Sequence, residues 1–495
     1  MTSMAWDVGN GPVAVRETHI GVVFLVGDRA YKLKKPVDVG FLDFRTRQSR
    51  LAVCHKEIEL NSRLAPDVYL GVADVSDVDG KPLDHMVVMR RMPDDRRLST
   101  LVRADAPLAD TVIRLARVIA AFHAGASRSP AISAEGTRDA LAARWSASLD
   151  QVDTVRGSVL NDHDLTEVRR LALAFLAGRE KLFDTRIADD RVVDGHGDLL
   201  ADDIFCLDDG PRVLDCLEFD DRLRAVDGLD DIAFLAMDLE RLGAPELGAA
   251  LLDRYVEYSG DPAPASLREH YLAYRAFVRV KVACLRHRQG DTTARKEAGQ
   301  YADVAVRHLR RGEVRLVMVG GLPGTGKTTL AGTVADELGA VLLSTDRLRK
   351  ELAGLTPEEH APAPYRGGIY TAEHTEAAYR ELLRRAEKLL ALGESVVLDA
   401  SWTGHGHREL AAAVATRTHS RLVSLLCQAP SAITDARMRT RTGSLSDADP
   451  VVAAHMAAEM DLWPQAVVVS TAGSPADSVT QASPALLGRA LRLVT

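Results

Sequence analysis

The sequence predicts two fold classes in series, an α+β region and then an α/β doubly wound domain. Three observations carry the prediction. Beyond residue 312, five short apolar runs alternate with helical patterns, each run β-branched or leucine-rich as buried parallel strands are. The first of those runs opens into a glycine-rich turn and then a helix, the start of a β-α-β series. Residues 1–92, by contrast, read as a hairpin, a helix and a further strand, and residues 93–311 read as mostly helix.

In chain order, Val22–Val26 and Arg29–Lys34 flank Gly27-Asp28, a two-residue hairpin signal. A helix is expected from Arg45 to Leu64 and a strand at Met86–Arg90. From Leu108 to Arg310 the pattern is helical, broken at Asp194–Asp221 by short apolar pieces and turns, and it closes with helices at Leu267–Arg288 and Thr293–Arg310. The later strands are expected at Arg315–Val319, Val341–Ser344, Ser395–Asp399, Arg421–Cys427 and Ala466–Ser470. Between the second and third of these, Tyr379, Leu382, Leu383, Ala386, Leu389 and Leu390 recur at helical spacing, and Gly393 closes the helix. Ala124–Gly136 and Ser474–Ser483 read as surface loops. The chain therefore divides at 1–92, 93–311 and 312–495.

Composition narrows the function classes. With 495 residues, 46% hydrophobic and 27% charged, the chain has the make-up of a soluble multidomain protein. No apolar run approaches the roughly 20 residues that span a bilayer, and MTSMAWDVGNG lacks a basic-then-apolar leader layout. Cys54, Cys206, Cys216, Cys284 and Cys427 are scattered without metal spacing and read as reduced thiols, so a cytoplasmic location and no membrane partner are expected. A net charge of −8 argues against a generic nucleic-acid surface.

Gly321, Leu322, Pro323, Gly324, Thr325, Gly326, Lys327 and Thr328 complete a G-x-x-x-x-G-K-[ST] phosphate loop, with Thr329 next on the helix. Such a turn rings the phosphates with backbone N–H groups, aims Lys327 at the β/γ-phosphates and offers the Thr328 hydroxyl to Mg²⁺, which implies ATP and Mg²⁺ as cofactors. Asp346, at the end of the second strand, is placed to take a proton from an acceptor hydroxyl, and Arg349, one helical turn on, to grip an anionic substrate group. Asp399 ends the third strand as a Walker-B-like carboxylate for the metal. Arg437, Arg439 and Arg441 precede Ser446-Asp447-Ala448, as arginines of a lid over the transferred phosphoryl group would. His405 and His407 suit a loop or an acceptor pocket better than a zinc site. This region resembles the small P-loop kinases, the group of gluconate kinase, chloramphenicol phosphotransferase, zeta toxin and polynucleotide kinase. The resemblance implies a P-loop NTPase-type domain in which Asp346 is the base and Arg437 and Arg441 meet the phosphates.

A second constellation lies upstream. His196-Gly197-Asp198 is followed by Val213-Leu214-Asp215, two carboxylates bounded by short apolar runs, an arrangement suited to phosphoryl transfer. Lys32 and Lys34 on the hairpin, with Glu57 on the next helix, supply a strand-lysine to helix-glutamate pair. These residues resemble the aminoglycoside phosphotransferase family, a two-lobed kinase-like α+β fold. The resemblance implies Asp198 as general base, Asp215 as Mg²⁺ ligand, and Lys32 or Lys34 as the phosphate-binding lysine. The two lysines lie two apart on one strand face, so parity leaves both open; Ala30, in the small position over adenine, favours Lys32. Asp203 stands where the family usually has a metal-binding Asn, and no glycine-rich flap is present.

The whole chain thus resembles bacterial fusions of the two kinase types. The function expected is ATP- and Mg²⁺-dependent phosphoryl transfer to a small-molecule hydroxyl, on a metabolite, sugar or antibiotic-like compound. Two rivals are an ATP-sensing regulator with a degenerate first module, which Asp203 suggests, and a nucleic-acid end kinase, which the Asp346–Arg349 spacing suggests.

Overall fold

The computed structural model describes residues 14–17, 21–37, 44–155, 157, 159–356, 359, 366–440 and 450–487. Arg441 and the Ser446-Asp447-Ala448 step lie outside the described residues. The chain forms two compact units, the first from residues 1–165, 184–263 and 271–305, the second from 166–183, 264–270 and 306–495.

In the first unit, β1 (Ala14–Glu17), β2 (Gly21–Val26), β3 (Arg29–Lys34), β4 (Tyr69–Ser76) and β5 (Pro82–Arg90) form an antiparallel sheet in the order β1-β2-β3-β5-β4. The β2–β3 turn needs Gly27, whose φ is +54°. Between β3 and β4, α1 (Arg47–Asn61) is capped by Thr46, whose hydroxyl accepts from Ser49 N–H at 3.0 Å. The rest of the unit is helical, with two small ribbons, β6 (Val192–Asp194) against β9 (Ala225–Asp227) and β7 (Ile204–Leu207) against β8 (Gly210–Val213). The helix Gly228–Arg241 runs through its core, buried from Gly228 to Leu239. Asp227 caps it by accepting from Leu229 N–H at 2.9 Å.

In the second unit, β10 (Arg315–Gly320), β11 (Val341–Ser344), β12 (Val396–Asp399), β13 (Arg421–Gln428) and β14 (Val467–Ser470) form a parallel sheet in the order β11-β12-β10-β13-β14. The first strand is central, so connections run to both of its sides and a switch point opens at its carboxyl end. Val317, Val397, Leu425 and Val469 from four of the strands pack with Leu330 and Val334 of the helix Lys327–Leu338. Each such fully buried side chain contributes roughly 1.5–3 kcal/mol.

Two expectations are corrected. Residues 130–135, read as loop, form a helix in which Ser129 accepts from Ile132 N–H at 3.2 Å and Pro130 opens the first turn. Ser474–Ser483 falls mostly in the helix Pro475–Leu487, with Ser478, Val479, Ala482 and Leu486 buried. Its start is a reciprocal cap, Asp477 N–H to Ser474 Oγ at 3.2 Å and Ser474 N–H to Asp477 Oδ2 at 3.0 Å. Small and polar residues hid both helices, because caps rather than apolar spacing begin them. Among the described residues, no helix is long and apolar enough to cross a membrane.

Candidate active sites

In the first unit, β3 turns Lys32 and Lys34 to one face, toward α1 and the segment that follows β8. Lys32 Nζ lies 2.8 Å from Glu57 Oε1 and 2.5 Å from Asp215 Oδ1. Lys34 Nζ lies 2.7 Å from Glu57 Oε2 and 2.5 Å from Glu218 Oε1. The result is a ladder of alternating charge: Glu218, Lys34, Glu57, Lys32, Asp215. The Lys32 side chain is 13% exposed and that of Lys34 is 0% exposed, so only Lys32 opens to solvent. Burial pushes both ammonium groups down, yet the flanking carboxylates carry them above the usual lysine range. Burial likewise pushes the Glu57 and Asp215 carboxyls up, and the lysines hold both below the usual carboxylate range.

The loop after β6 is anchored from beneath. Asp231 accepts from His196 N–H at 2.7 Å and Gly197 N–H at 2.9 Å, and His123 Nε2 lies 3.0 Å from the same carboxylate. The His196 ring is buried with Nε2 3.1 Å from the Leu214 carbonyl, and burial pushes it down to about 4, so it is neutral at pH 7. Asp215 has a left-handed φ of +64°, a strained backbone for a non-glycine residue. Asn61 and Arg63, just after Glu57, tie α1 to this loop: Asn61 Oδ1 accepts from Cys216 N–H at 2.8 Å, and Arg63 donates to the Gly195 carbonyl at 3.0 Å.

Three carboxylates share the resulting cleft. Burial pushes Asp198 up to about 6, with Arg279 opposing and Asp215 adding to the rise. Burial, then the charges of Asp215 and Asp198, push Asp203 well above the usual range. Mutual repulsion of this kind is relieved by a hard cation. Among the described residues, no three His, Cys, Asp or Glu side chains form a metal site on their own. Mg²⁺ commonly takes only one or two protein carboxylates and completes its shell with phosphate oxygens and water. Asp203 and Asp215 fit that donor set.

In the second unit the phosphate loop leaves the end of β10. Gly324 and Gly326 both have φ of +79°, and a Cβ on Gly324 would sit 2.8 Å from the Thr434 carbonyl oxygen, so neither position admits a side chain. Leu322 O accepts from Thr325 Oγ1 at 2.7 Å, which tightens the turn. Thr328 Oγ1 donates to Asp399 Oδ2 at 2.9 Å. Asp399 is 4% exposed, and its other oxygen is buried with no hydrogen-bond partner. Burial pushes its pKa up against the pull of Lys327. A buried carboxylate with one free oxygen beside a hydroxyl suits a hard divalent cation.

Asp346 lies in the first turn of the helix Thr345–Leu352, where Arg349 Nη1 donates to its Oδ1 at 2.7 Å. The Arg349 guanidinium stacks 4.8 Å over the Tyr370 ring. Arg437, on the helix Ser431–Arg439, donates to the Thr471 carbonyl at 2.7 Å and to Gly324 O at 3.4 Å. Thr471 Oγ1 in turn donates to Thr325 O at 2.6 Å. A cavity of about 280 Å³ opens here, lined by Gly326, Lys327, Thr328, Arg437, Thr471 and Pro475 among others. Arg437 therefore borders the loop's far side, and Arg439 Nε turns back to its own helix, donating to Asp435 O at 3.3 Å. His407 stacks on Tyr379 at 3.9 Å with Nε2 2.7 Å from Glu376, and His405 Nε2 lies 3.1 Å from Glu409.

Sequence reasoning missed Thr471, a lone threonine after a strand with no motif around it, and the pairing of Glu218 with Lys34. A signal for the latter existed in the D-x-x-E step from Asp215 to Glu218.

Residues 316–462 match the family described as AAA domain. The uncharacterized protein Rv2004c of Mycobacterium tuberculosis is 44% identical over 470 residues, covering 95% of this chain and 94% of its own length. Among solved structures, a choline/ethanolamine kinase family protein from Mesorhizobium loti is similar at 16% identity over 61% of this chain and 92% of its own, with a TM-score of 0.39. A gluconokinase from Sinorhizobium meliloti is similar at 19% identity over 35% of this chain and 91% of its own, with a TM-score of 0.26.

Proposed function

We propose that this chain, which belongs to the same family as the Mycobacterium tuberculosis protein Rv2004c, is a cytoplasmic ATP- and Mg²⁺-dependent phosphotransferase with two kinase-type modules acting on small-molecule hydroxyls. One recurrence carries the reading. Each unit sets a lysine beside a carboxylate suited to a hard cation, with a second carboxylate near enough to influence it.

In the second unit, Lys327 and the loop N–H groups bind the phosphates, and Thr328 and Asp399 would hold Mg²⁺. Asp346 takes the acceptor's proton as the acceptor oxygen bonds the γ-phosphorus and ADP leaves. Arg349 orients Asp346 and contacts the acceptor, while Arg437 flanks the phosphates. In the first unit, Lys32 releases Asp215 for the phosphate oxygens, Asp215 and Asp203 would hold Mg²⁺, and Asp198 is the base. Lys34 is a strut for Glu57 rather than a phosphate ligand, because it is fully enclosed between two carboxylates. Bound Mg²⁺ supplies charge neutralisation on the phosphate oxygens. No nucleic-acid or membrane partner is required.

A second reading, an ATP-sensing regulator, draws on the Lys32–Asp215 pair, which occupies the metal-type carboxylate. The two readings separate cleanly. Purified protein with labelled ATP and a bacterial metabolite extract should yield phosphorylated products, one lost with Asp198→Asn and another with Asp346→Asn. A regulator would fail with Lys327→Ala yet tolerate both asparagines.

A further inference from the structure

The wall beside Asp198 has a charge pattern that bears on the acceptor. The helix Ala265–Arg288 carries Arg275 and Arg279 one turn apart, hence on one face. Arg275 fixes that face against the catalytic loop, donating to the Gly197 carbonyl at 3.2 Å and gripping Asp230 at 2.8 and 2.9 Å. Arg279 follows on the same face, its guanidinium 5.9 Å from the Tyr301 ring, and Arg241 stands 5.7 Å from that ring. Arg241 is already engaged with Asp238 at 2.8 Å, and Asp238 also accepts from Ala201 N–H at 3.0 Å, three residues past Asp198.

The acidic neighbours of these arginines among the described residues are therefore satisfied. Asp230 has Arg275, Asp238 has Arg241, and Glu297 has Arg286 at 2.8 Å. Asp231 is held by two backbone N–H groups and His123. Arg279 differs: its guanidinium hydrogen-bonds the Tyr301 hydroxyl rather than a carboxylate, it forms no ion pair among the described residues, and its charge acts on Asp198.

We propose that the first unit's acceptor is an anionic hydroxy compound whose carboxylate or phosphate is held by Arg279 while its hydroxyl meets Asp198. The proposal rests on the phosphotransferase reading of this unit and adds the substrate class. A guanidinium offers paired donors matched to either anion. A polycationic acceptor would meet a like charge at Arg279, where the neighbouring Asp230, Asp238 and Glu297 are already paired. In the reaction, the acceptor hydroxyl gives its proton to Asp198, its oxygen bonds the γ-phosphorus, and the bond from that phosphorus to the β–γ bridging oxygen breaks to release ADP.

The test uses the full chain with Lys327→Ala, which silences the second unit, labelled ATP with Mg²⁺, and four probe sets: hydroxy acids including gluconate, sugar phosphates including glucose 6-phosphate, neutral sugars including glucose, and aminoglycosides including kanamycin. Label should pass to a hydroxy acid or a sugar phosphate, and which one distinguishes carboxylate from phosphate capture. Arg279→Gln should raise the acceptor KM about 10- to 100-fold, the worth of a charge-assisted hydrogen bond, with the KM for ATP unchanged and partial rescue by Arg279→Lys. Transfer chiefly to neutral sugars or aminoglycosides, or an unchanged acceptor KM in Arg279→Gln, overturns the proposal. If no probe is phosphorylated, the phosphotransferase reading of this unit fails separately. Calorimetric titration of the same probes into the ATP-loaded protein then decides the acceptor class: binding of an anionic probe that is lost in Arg279→Gln supports it, and no such binding overturns it.

Discussion

In the second unit the phosphate cradle is a run of consecutive residues, 321–328, folded between one strand and one helix. In the first unit the corresponding lysine meets its carboxylate across 183 positions of sequence, Lys32 to Asp215. One cradle is shaped by backbone, with left-handed glycines that no side chain could replace. The other is held together by buried charge, a ladder of three carboxylates and two lysines on separate elements. Backbone geometry tolerates the loss of a side-chain charge, whereas a buried ladder does not, because each rung removed leaves another charge unpaired.

Four measurements test this contrast. The largest effect is catalytic: Asp198→Asn and Asp346→Asn should each lower their own product by about 10²–10⁴-fold, read as loss of one labelled product with the other intact. If either change removes both products, the two sites are not chemically independent. Next is stability. Lys34→Met strands Glu218, leaves Glu57 with Lys32 alone, and should cost about 3–5 kcal/mol in denaturant unfolding of the first unit, while Lys327→Met, half-buried at the start of its helix, should cost about 1 kcal/mol or less. Equal costs would erase the distinction between charge-built and backbone-built sites.

The third measurement is a pH profile. Asp198 is raised to about 6 by burial, so below that pH it is protonated and cannot accept the acceptor's proton. The kcat/KM of the first unit should therefore rise with pH through about 6 and then level off, and a profile flat across that range would remove Asp198 as base. The smallest effect is Thr471→Val, which deletes the hydroxyl linked to the Thr325 carbonyl. The loss of about 1 kcal/mol should appear as a several-fold higher KM for ATP in the second unit only.

How much could be read in advance follows the same contrast. The doubly wound sheet, its five strands and residues Lys327, Thr328 and Asp399 were legible because local pattern determines them. Strand parity does not choose between Lys32 and Lys34, since both lie on one face; Ala30 favours Lys32, and packing against Glu57 and Glu218 encloses Lys34. Thr471 was invisible because its role depends on where β14 ends beside the phosphate loop. The helix Pro475–Leu487 looked like a loop, although its Ser474–Asp477 cap was present in the sequence.

Segments 166–183 and 264–270 belong to the second unit, far ahead of the sheet they join. Arg179 donates to the Thr418 carbonyl 239 residues later, and its neighbour Phe175 stacks on His270. At a synthesis rate of roughly 5–20 residues per second, the Arg179 segment leaves the ribosome about 10–50 s before Thr418 is made. A fragment ending at residue 311 would carry the same orphaned helix permanently. The order of translation thus sets a waiting time for this chain, during which Phe175 and Leu182, both buried in the finished protein, precede the rest of their unit.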